Sequence, residues 1–133
     1  MKSSGSLVIS SVYSRKELQE LFHITDATIN TGIFQPKGHS SIWLFVTKNK
    51  TPDRTAYNDD LNGQVLSFEG QLQGRTDNKI IHHSSNGNEM LVFYRDRKNE
   101  YPNYAFKYLG RFQYVSHSGD KPKRFVLCSI DLG

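Results

Sequence analysis

The stretch Ile42–Trp43–Leu44–Phe45–Val46–Thr47 decides the class of fold, because its apolar residues follow one another without a polar interruption before Thr47. A strand with one face in water alternates apolar and polar side chains, whereas a strand covered on both faces reads as a continuous apolar run. β-Branched and aromatic residues, which favour strands, dominate this one. We therefore expect a strand at the centre of a sheet, with Trp43 in the core.

Further strand patterns lie on both sides of this run. They cover Leu7–Tyr13, Val65–Gly70, Lys79–His82, Met90–Tyr94, Tyr104–Val115 and Phe125–Leu132. The dipeptide Asn86–Gly87 between two of them is typical of a hairpin turn. Such a series predicts an antiparallel sheet that curls, because full or partial closure into a barrel protects the edge strands.

A single main helix is expected near the N-terminus. Ser14 and Glu17 form an S-x-x-E capping box, and Leu18, Leu21 and Phe22 follow as an apolar stripe at helical spacing, ending near His23. The predicted fold class is therefore α+β and mainly β, a curled antiparallel sheet or partly open barrel with one main N-terminal helix. Residues 1–6 are expected to be a flexible end or linker remnant, and residues 7–133 a single recognition domain.

Composition points towards nucleic acid without deciding the matter. The chain of 133 residues has a formal net charge of +4, with eight Phe and seven Tyr. A cation beside a flat ring can hold phosphate while the ring stacks on a base, although a β-rich core uses aromatic residues too. There is no apolar stretch of membrane-helix length and no secretory signal pattern. The lone Cys128 cannot form an internal disulfide, so we expect a cytoplasmic protein without a membrane partner.

Enzyme motifs are missing from the chain. It has no P-loop, GxGxxG, HExxH or GxSxG pattern. The adjacent His82 and His83 would face opposite ways on a strand and could not share a metal ion. The acidic residues lack the Glu-x-Lys spacing of metal-dependent nucleases. We therefore expect no catalytic residues, no metal and no cofactor.

The densest candidate for a binding site lies between Tyr57 and Asp77. Strand alternation places Phe68 and Glu69 on opposite faces, and Gly70 and Gly74 interrupt the regular backbone. A base flipped out of a duplex needs a ring to stack on and polar groups to read its edge, and the amine of cytosine needs an acceptor. A strand end followed by a polar loop accounts for the same residues equally well.

A second candidate lies in the long segment between Thr25 and Ser41. Loops of this length are usually functional or disordered, and its apolar residues favour an ordered segment packed on the core. Lys37, Gly38 and His39 would then form an exposed tip, where glycine allows close approach to a phosphate and lysine supplies charge.

Six short motifs occur in an order that resembles a known family. They are Tyr13–Ser–Arg–Lys–Glu17, Thr31–Gly–Ile–Phe–Gln–Pro–Lys–Gly38, Ser67–Phe–Glu–Gly–Gln71, Leu91–Val–Phe–Tyr–Arg95, Tyr108–Leu–Gly–Arg111 and Val115–Ser–His–Ser118. The chain resembles, over nearly its whole length, the C-terminal domain of unknown function in SauUSI-type restriction enzymes. Those enzymes combine this domain with a phospholipase-D-type nuclease and a DEAD/DEAH-box helicase. Similar domains look distantly like SRA and PUA-like readers, which are curled sheets that hold a flipped base.

The resemblance implies a reader of 5-methylcytosine or 5-hydroxymethylcytosine in double-stranded DNA. It would flip the base and act as the target-recognition domain of a modification-dependent restriction system in bacterial defence, with helicase and nuclease domains of a parent enzyme as expected partners. The base pocket is assigned to Tyr57, Asp59, Phe68, Glu69, Gln71 and Asp77. Contacts to the DNA backbone are assigned to Lys37, His39, Arg54, Arg75, Thr76 and Lys121.

The chain departs from the family at the centre of this pocket. Family members often carry Trp where Phe68 stands, followed by Gln, Ser and Gln where this chain has Glu69, Gly70 and Gln71. A smaller ring and an acidic residue could change which modification is accepted, or the pocket could read something else. Three alternatives stay open: a binder of RNA or unmodified DNA on a PUA-like barrel, a protein-interaction module that docks on a helicase or nuclease partner, and a small nuclease.

Overall fold

A computed structural model describes residues 3–25, 32–49, 60–62, 64–69, 77–119 and 124–131. Within these ranges the helices are α1 (Arg15–Phe22) and α2 (Asp77–Ile81), and short 3-10 turns cover Ser3–Ser6 and Pro102–Tyr104. The strands are β1 (Val12–Tyr13), β2 (Ile33–Phe34), β3 (Ser41–Asn49), β4 (Asp60–Asn62), β5 (Val65–Glu69), β6 (Glu89–Arg97), β7 (Phe106–Ser118) and β8 (Arg124–Ser129).

The described strands form one open sheet in the order β2–β3–β6–β7–β8–β5–β4, and β1 pairs with the start of β7. This confirms the mainly β, α+β fold class. The sheet is mixed, however, because β3 and β6 run parallel where an antiparallel sheet was expected. The two strands are separated by a long stretch of chain that includes β4, β5 and α2, and a parallel pair requires such a crossover.

Two apolar clusters lie on the two faces of β3 and β6. The aliphatic cluster contains the buried residues Ile33, Ile42, Leu44, Val46, Leu66, Ile80, Met90, Val92, Leu109, Phe112, Phe125 and Leu127. The aromatic cluster contains Leu7, Leu18, Phe34, Trp43, Phe45, Leu91, Phe93, Phe106 and Tyr108. Successive residues of β3 enter alternate clusters, which explains the continuous apolar run and leaves Trp43 fully buried.

The capped helix forms as its sequence predicts. The backbone N–H of Glu17 donates to the Ser14 hydroxyl at 3.0 Å, and the N–H of Ser14 donates to Glu17 Oε1 at 3.1 Å. The helix ends at His23, which has a left-handed φ of 55°. Its buried residue Leu18 packs in the aromatic cluster, so α1 covers one face of the sheet.

The prediction of a strand at Lys79–His82 is wrong, because this segment lies in and after α2. Ile80 of α2 is fully buried and Ile81 packs beside it against the aliphatic cluster. An apolar pair in so short a run fits a helix and a strand equally well. The Asn86–Gly87 turn does form, with Gly87 at a φ of 74°, but it connects α2 to β6 and not two strands.

The N-terminal strand is shorter than the predicted Leu7–Tyr13. The strand itself covers only Val12 and Tyr13, because Ser10 adopts a φ of 75° that interrupts the extended chain, although Ser10 and Ser11 still form backbone hydrogen bonds with Tyr108 of β7. Ahead of it, the Ser3–Ser6 turn lies in the segment expected to be a flexible end. The backbone N–H and the hydroxyl of Ser4 both donate to the Glu89 carboxylate, at 2.9 and 2.5 Å, which attaches this turn to β6.

Candidate nucleic-acid interface

The register of three neighbouring strands brings part of the predicted base pocket to one end of the sheet. The backbone of Phe68 pairs with that of Phe125, and Glu69 pairs with Arg124. On the other side of β8, His117 pairs with Phe125 and Ser118 pairs with Arg124. Phe68 and Glu69, chosen from the sequence alone, therefore lie on adjacent strands with residues far away in the chain.

Most of the remaining predicted site residues lie outside the described part of the chain. These are Tyr57, Asp59, Gln71, Arg54, Arg75, Thr76 and Lys121. Two of them are flanked by described residues at this strand end: Asp60, next to Asp59, pairs with Ser67, and Ser118 and Arg124, on either side of the segment that contains Lys121, pair with each other. Asp77 is the first residue of α2.

A β-bulge shapes the exposed surface at this strand end. Tyr114 pairs with Leu127 and Ser116 pairs with Val126, so Val115 is an extra residue that has no partner in the register. In a regular strand Tyr114 and His117 would point to opposite faces, but one inserted residue puts them on the same face. The Tyr114 hydroxyl accordingly lies 2.5 Å from His117 Nδ1.

The rings of Tyr114, His117 and Phe125 form one cluster, which we call the strand-end patch. The ring centroids of Tyr114 and His117 are 5.9 Å apart, and those of His117 and Phe125 are 6.1 Å apart. Phe125 is fully buried, Tyr114 is half-buried and His117 is exposed. The patch is thus a buried apolar floor with two rings at the surface, which is a suitable shape for stacking on a base.

A buried histidine holds the bulge in place. His83, just after α2, lies with Nδ1 3.0 Å from the Asn88 carbonyl oxygen, while the backbone N–H of Tyr114 donates to Nε2 at 3.1 Å. A carbonyl can only accept and a backbone N–H can only donate, so His83 is neutral with its proton on Nδ1. This side chain fixes the backbone on which Tyr114 and Val115 sit.

Two arginines lie against the aromatic cluster, away from the strand-end patch. The Arg95 guanidinium is 3.9 Å from the centroid of the Phe106 ring, and that of Arg15 is 4.5 Å from the Phe45 ring. Arg95 is buried, and its Nε donates to the Thr47 hydroxyl at 2.8 Å. Burial and the nearby charge of Arg95 lower the pKa of Arg15 to about 10. Both side chains thus stabilise the packing of α1 and β6 on the rings.

The predicted phosphate contacts Lys37 and His39 lie in the turn between β2 and β3. Lys37 is exposed, as expected of a tip, and Gly38 adopts a φ of 82° that favours glycine. His39 is half-buried and packs edge-on against Phe22, with centroids 5.6 Å apart. Because β2 and β5 lie towards opposite edges of the strand order, the sheet does not group these residues with Phe68 and Glu69.

A second bulge interrupts the middle of β7. The register between β6 and β7 shifts beside Val92, and Gly110 adopts a φ of 92° there. A Cβ atom at Gly110 would lie 2.9 Å from Oδ2 of Asp131, so the position requires glycine. Arg111 pairs with Asp131 at 2.7 Å, and this hydrogen-bonded guanidinium lowers the pKa of Asp131 below its usual value.

Sequence reasoning missed the partnership of Tyr114, His117 and His83. His117 lies in the family-like motif Val115–Ser118, but nothing in the sequence marks Val115 as a bulge. The sequence places His83 only as a neighbour of His82 on a strand, whereas it lies after a helix and is 6% exposed. Within the described ranges, no three His, Cys, Asp or Glu side chains are placed to hold a metal ion. None of the described helices is long and apolar enough to cross a membrane.

The fold is similar to that of a modification-dependent restriction endonuclease, TagI. The alignment has a TM-score of 0.56 and 18% sequence identity, and it covers 98% of this chain and 52% of that one. A second similar structure is the SRA domain of SUVH5 in complex with methylated CHH DNA, with a TM-score of 0.48, 17% identity, and coverage of 94% of this chain and 95% of that chain.

No protein-family model matches the sequence, and no curated protein matches it. The chain spans about half the length of the TagI endonuclease.

Proposed function

We propose that this chain binds double-stranded DNA and recognises 5-methylcytosine or 5-hydroxymethylcytosine in it, by flipping the modified base into a pocket. The observation that carries the proposal is the strand register, which pairs Phe68 of β5 with Phe125 of the strand-end patch and places Glu69 beside it at the same end of the sheet. The fold shared with a modification-dependent restriction endonuclease supports the same function.

The described residues suggest how such a pocket works. Flipping a base costs a few kcal/mol of lost stacking, which new stacking and edge hydrogen bonds must offset. Tyr114 and His117 offer ring surfaces at the strand end, and Glu69 and Asp77 are the proposed acceptors for the amine of cytosine. One methyl group adds only about 0.8 kcal/mol of apolar burial, so the shape of the pocket must also reject unmodified cytosine.

We propose further that the chain has no catalytic activity of its own and serves as the target-recognition domain of a restriction system. The SauUSI-type resemblance, which stays a prediction, implies helicase and nuclease domains as partners in the bacterial cytoplasm. DNA incubated with the chain and Mg²⁺ should remain intact. Cleavage in that assay would support the small nuclease instead.

The test of the main proposal is a titration with three matched duplexes, carrying cytosine, 5-methylcytosine or 5-hydroxymethylcytosine, at physiological salt. We expect one modified duplex to bind at least about tenfold more tightly than the unmodified one, a difference of about 1.4 kcal/mol. Equal affinity for the three duplexes would contradict the recognition of a modified base and would favour a general DNA-binding function. Tighter binding to a matched RNA would favour the alternative of an RNA-binding protein.

Variants of the chain then locate the pocket. Phe68→Ala and His117→Ala should each reduce the preference for the modified duplex. Val65→Thr is the matched control, because Val65 is an exposed residue at the other end of β5. An unchanged preference in both pocket variants would show that the site lies elsewhere.

A further inference from the structure

The connection from β6 to β7 contains a turn whose residue type does not suit its backbone. Asn103 has a φ of 60° and Tyr104 a φ of 58°, and the N–H of Ala105 donates to the Pro102 carbonyl at 3.2 Å. Positive φ at both central positions is the signature of a type I′ turn, for which Asn-Gly is the preferred pair. Asn103 fits this preference, but Tyr104 stands where glycine would be expected.

Burial of the Tyr104 side chain contributes little stabilisation to offset the cost of this backbone conformation. Left-handed φ is unfavourable for every residue with a bulky side chain. A buried ring could compensate through packing, but Tyr104 is 60% exposed. A residue that strains the backbone without joining a core is a candidate for function.

A buried charge fixes the backbone beneath the Tyr104 ring. Nη1 of Arg95 donates to the carbonyl oxygen of Tyr104 at 2.7 Å and to that of Lys98 at 3.2 Å. The same side chain is anchored by Thr47 and lies over the Phe106 ring. The backbone that carries the exposed ring is therefore ordered before any ligand arrives, which lowers the entropic cost of binding.

The groups around the ring indicate the chemistry of its ligand. The Lys98 ammonium lies 5.4 Å from the centroid of the Tyr104 ring. A ring with a cation beside it suits a nucleobase with its phosphate. The cleft next to the turn is lined by Lys16, Glu17 and Glu20 as well as by the turn itself. Its carboxylates disfavour phosphate, so the nucleic acid is placed over the ring and Lys98 and not in the cleft.

We propose that Tyr104 and Lys98 form a second DNA contact, in which the ring stacks on a nucleobase that is unstacked from its neighbour in the duplex and the ammonium contacts an adjacent phosphate. This inference rests on the proposed binding of DNA but not on its preference for modified cytosine. The turn precedes β7, whereas the strand-end patch lies at the other end of that strand. The contact therefore strengthens binding to every duplex equally and does not select the modified base.

The test combines stability and binding in three variants. Tyr104→Gly relieves the backbone and removes the ring, so its denaturation midpoint should rise while its affinity for modified and unmodified duplexes falls by about tenfold alike. Asn103→Gly is the matched control, because it changes the same turn and keeps the ring, and its DNA affinity should equal that of the wild type. Tyr104→Phe keeps the stacking surface and should bind within about twofold of the wild type.

The outcomes separate this inference from the proposed function. A wild-type chain that prefers modified DNA, with unchanged affinity in Tyr104→Gly, overturns the second contact and leaves the reader intact. A wild-type chain without that preference, whose Tyr104→Gly variant still loses affinity for every duplex, supports the second contact and removes the modified-base proposal. A lower denaturation midpoint in Tyr104→Gly overturns the inference, since the ring would then be a packing residue. A wild-type chain that binds no duplex rejects both.

Discussion

The two ends of β7 each present aromatic rings on an irregular backbone, but different side chains hold them in place. At the far end the bulge at Val115 puts Tyr114 and His117 on one face, and the buried His83 braces it. Just before the start of β7, the turn at Tyr104 exposes the Tyr104 ring. There the buried Arg95 donates a hydrogen bond to the Tyr104 carbonyl and holds the turn.

The difference follows from which backbone groups each irregularity leaves without a partner. The bulge leaves the N–H of Tyr114 in need of an acceptor, and a neutral imidazole supplies one while its other nitrogen donates to Asn88. The connection from β6 to β7 leaves the carbonyls of Lys98 and Tyr104 in need of donors, and a guanidinium has only donors. The same physical requirement, that buried backbone groups be paired, thus selects different residue types at the two ends.

Replacing Arg95, the charged side chain that holds the turn before β7, should have the largest effect on the free energy of unfolding. Arg95→Met keeps packing against Phe106 but leaves the Tyr104 and Lys98 carbonyls without their donor. We expect a loss of about 3 kcal/mol in the free energy of unfolding, measured by urea denaturation. Arg97→Met, an exposed position on the same strand, should change it by less than about 0.5 kcal/mol. Equal effects in the two variants would contradict the role of Arg95.

Replacing His83, the side chain that holds the bulge at the end of β7, should lower the free energy of unfolding somewhat less. His83→Leu leaves the Tyr114 N–H and the Asn88 carbonyl unpaired, and we expect a loss of about 2 kcal/mol. The amide hydrogen of Tyr114 should exchange faster with solvent, while exchange near Tyr104 should be unchanged. The adjacent exposed residue gives the control, His82→Leu. If the exchange of Tyr114 is unaffected in His83→Leu, the histidine does not hold the bulge.

The contact between Tyr114 and His117 should contribute less again. Tyr114→Phe keeps the ring and removes the hydroxyl that lies against His117 Nδ1. We expect a loss of about 0.5 kcal/mol, since the pair is near the surface, together with a measurable reduction in the preference for modified DNA. An unchanged preference would mean that His117 needs no orienting partner.

The ion pair in the middle of β7 should give the smallest effect and alter neither end. The hydrogen-bonded Arg111 holds the pKa of Asp131 below its unfolded value of about 3.9. A carboxylate with a lowered folded pKa stabilises the fold above the unfolded pKa, and this stabilisation disappears as the pH falls through the folded pKa. Since Arg111 is 44% exposed, we expect only a few tenths of a kcal/mol. The difference in unfolding free energy between the wild type and Asp131→Asn should be present at pH 6 and shrink below pH 4. A difference that does not change with pH would show that the ion pair does not stabilise the fold.

Local signals explain which parts of the fold could be read from the sequence. The capping box of Ser14 and Glu17 acts within one turn of helix, and the apolar run from Ile42 reports burial on both faces directly. Predictions failed where two structures share one pattern, as at Lys79–His82, or where a single residue with positive φ ends a strand, as at Ser10.

By itself, the sequence determined the mainly β class, the central buried strand and the capped helix, because each depends on residues that are close together in the chain. It also selected Phe68 and Glu69, although it gave no reason to join them to His117. Only the tertiary structure decided that juxtaposition, along with the bulge at Val115 and the exposed ring of Tyr104. Strand register and bulges depend on pairings between distant segments, and a shift of one residue moves every following side chain to the other face.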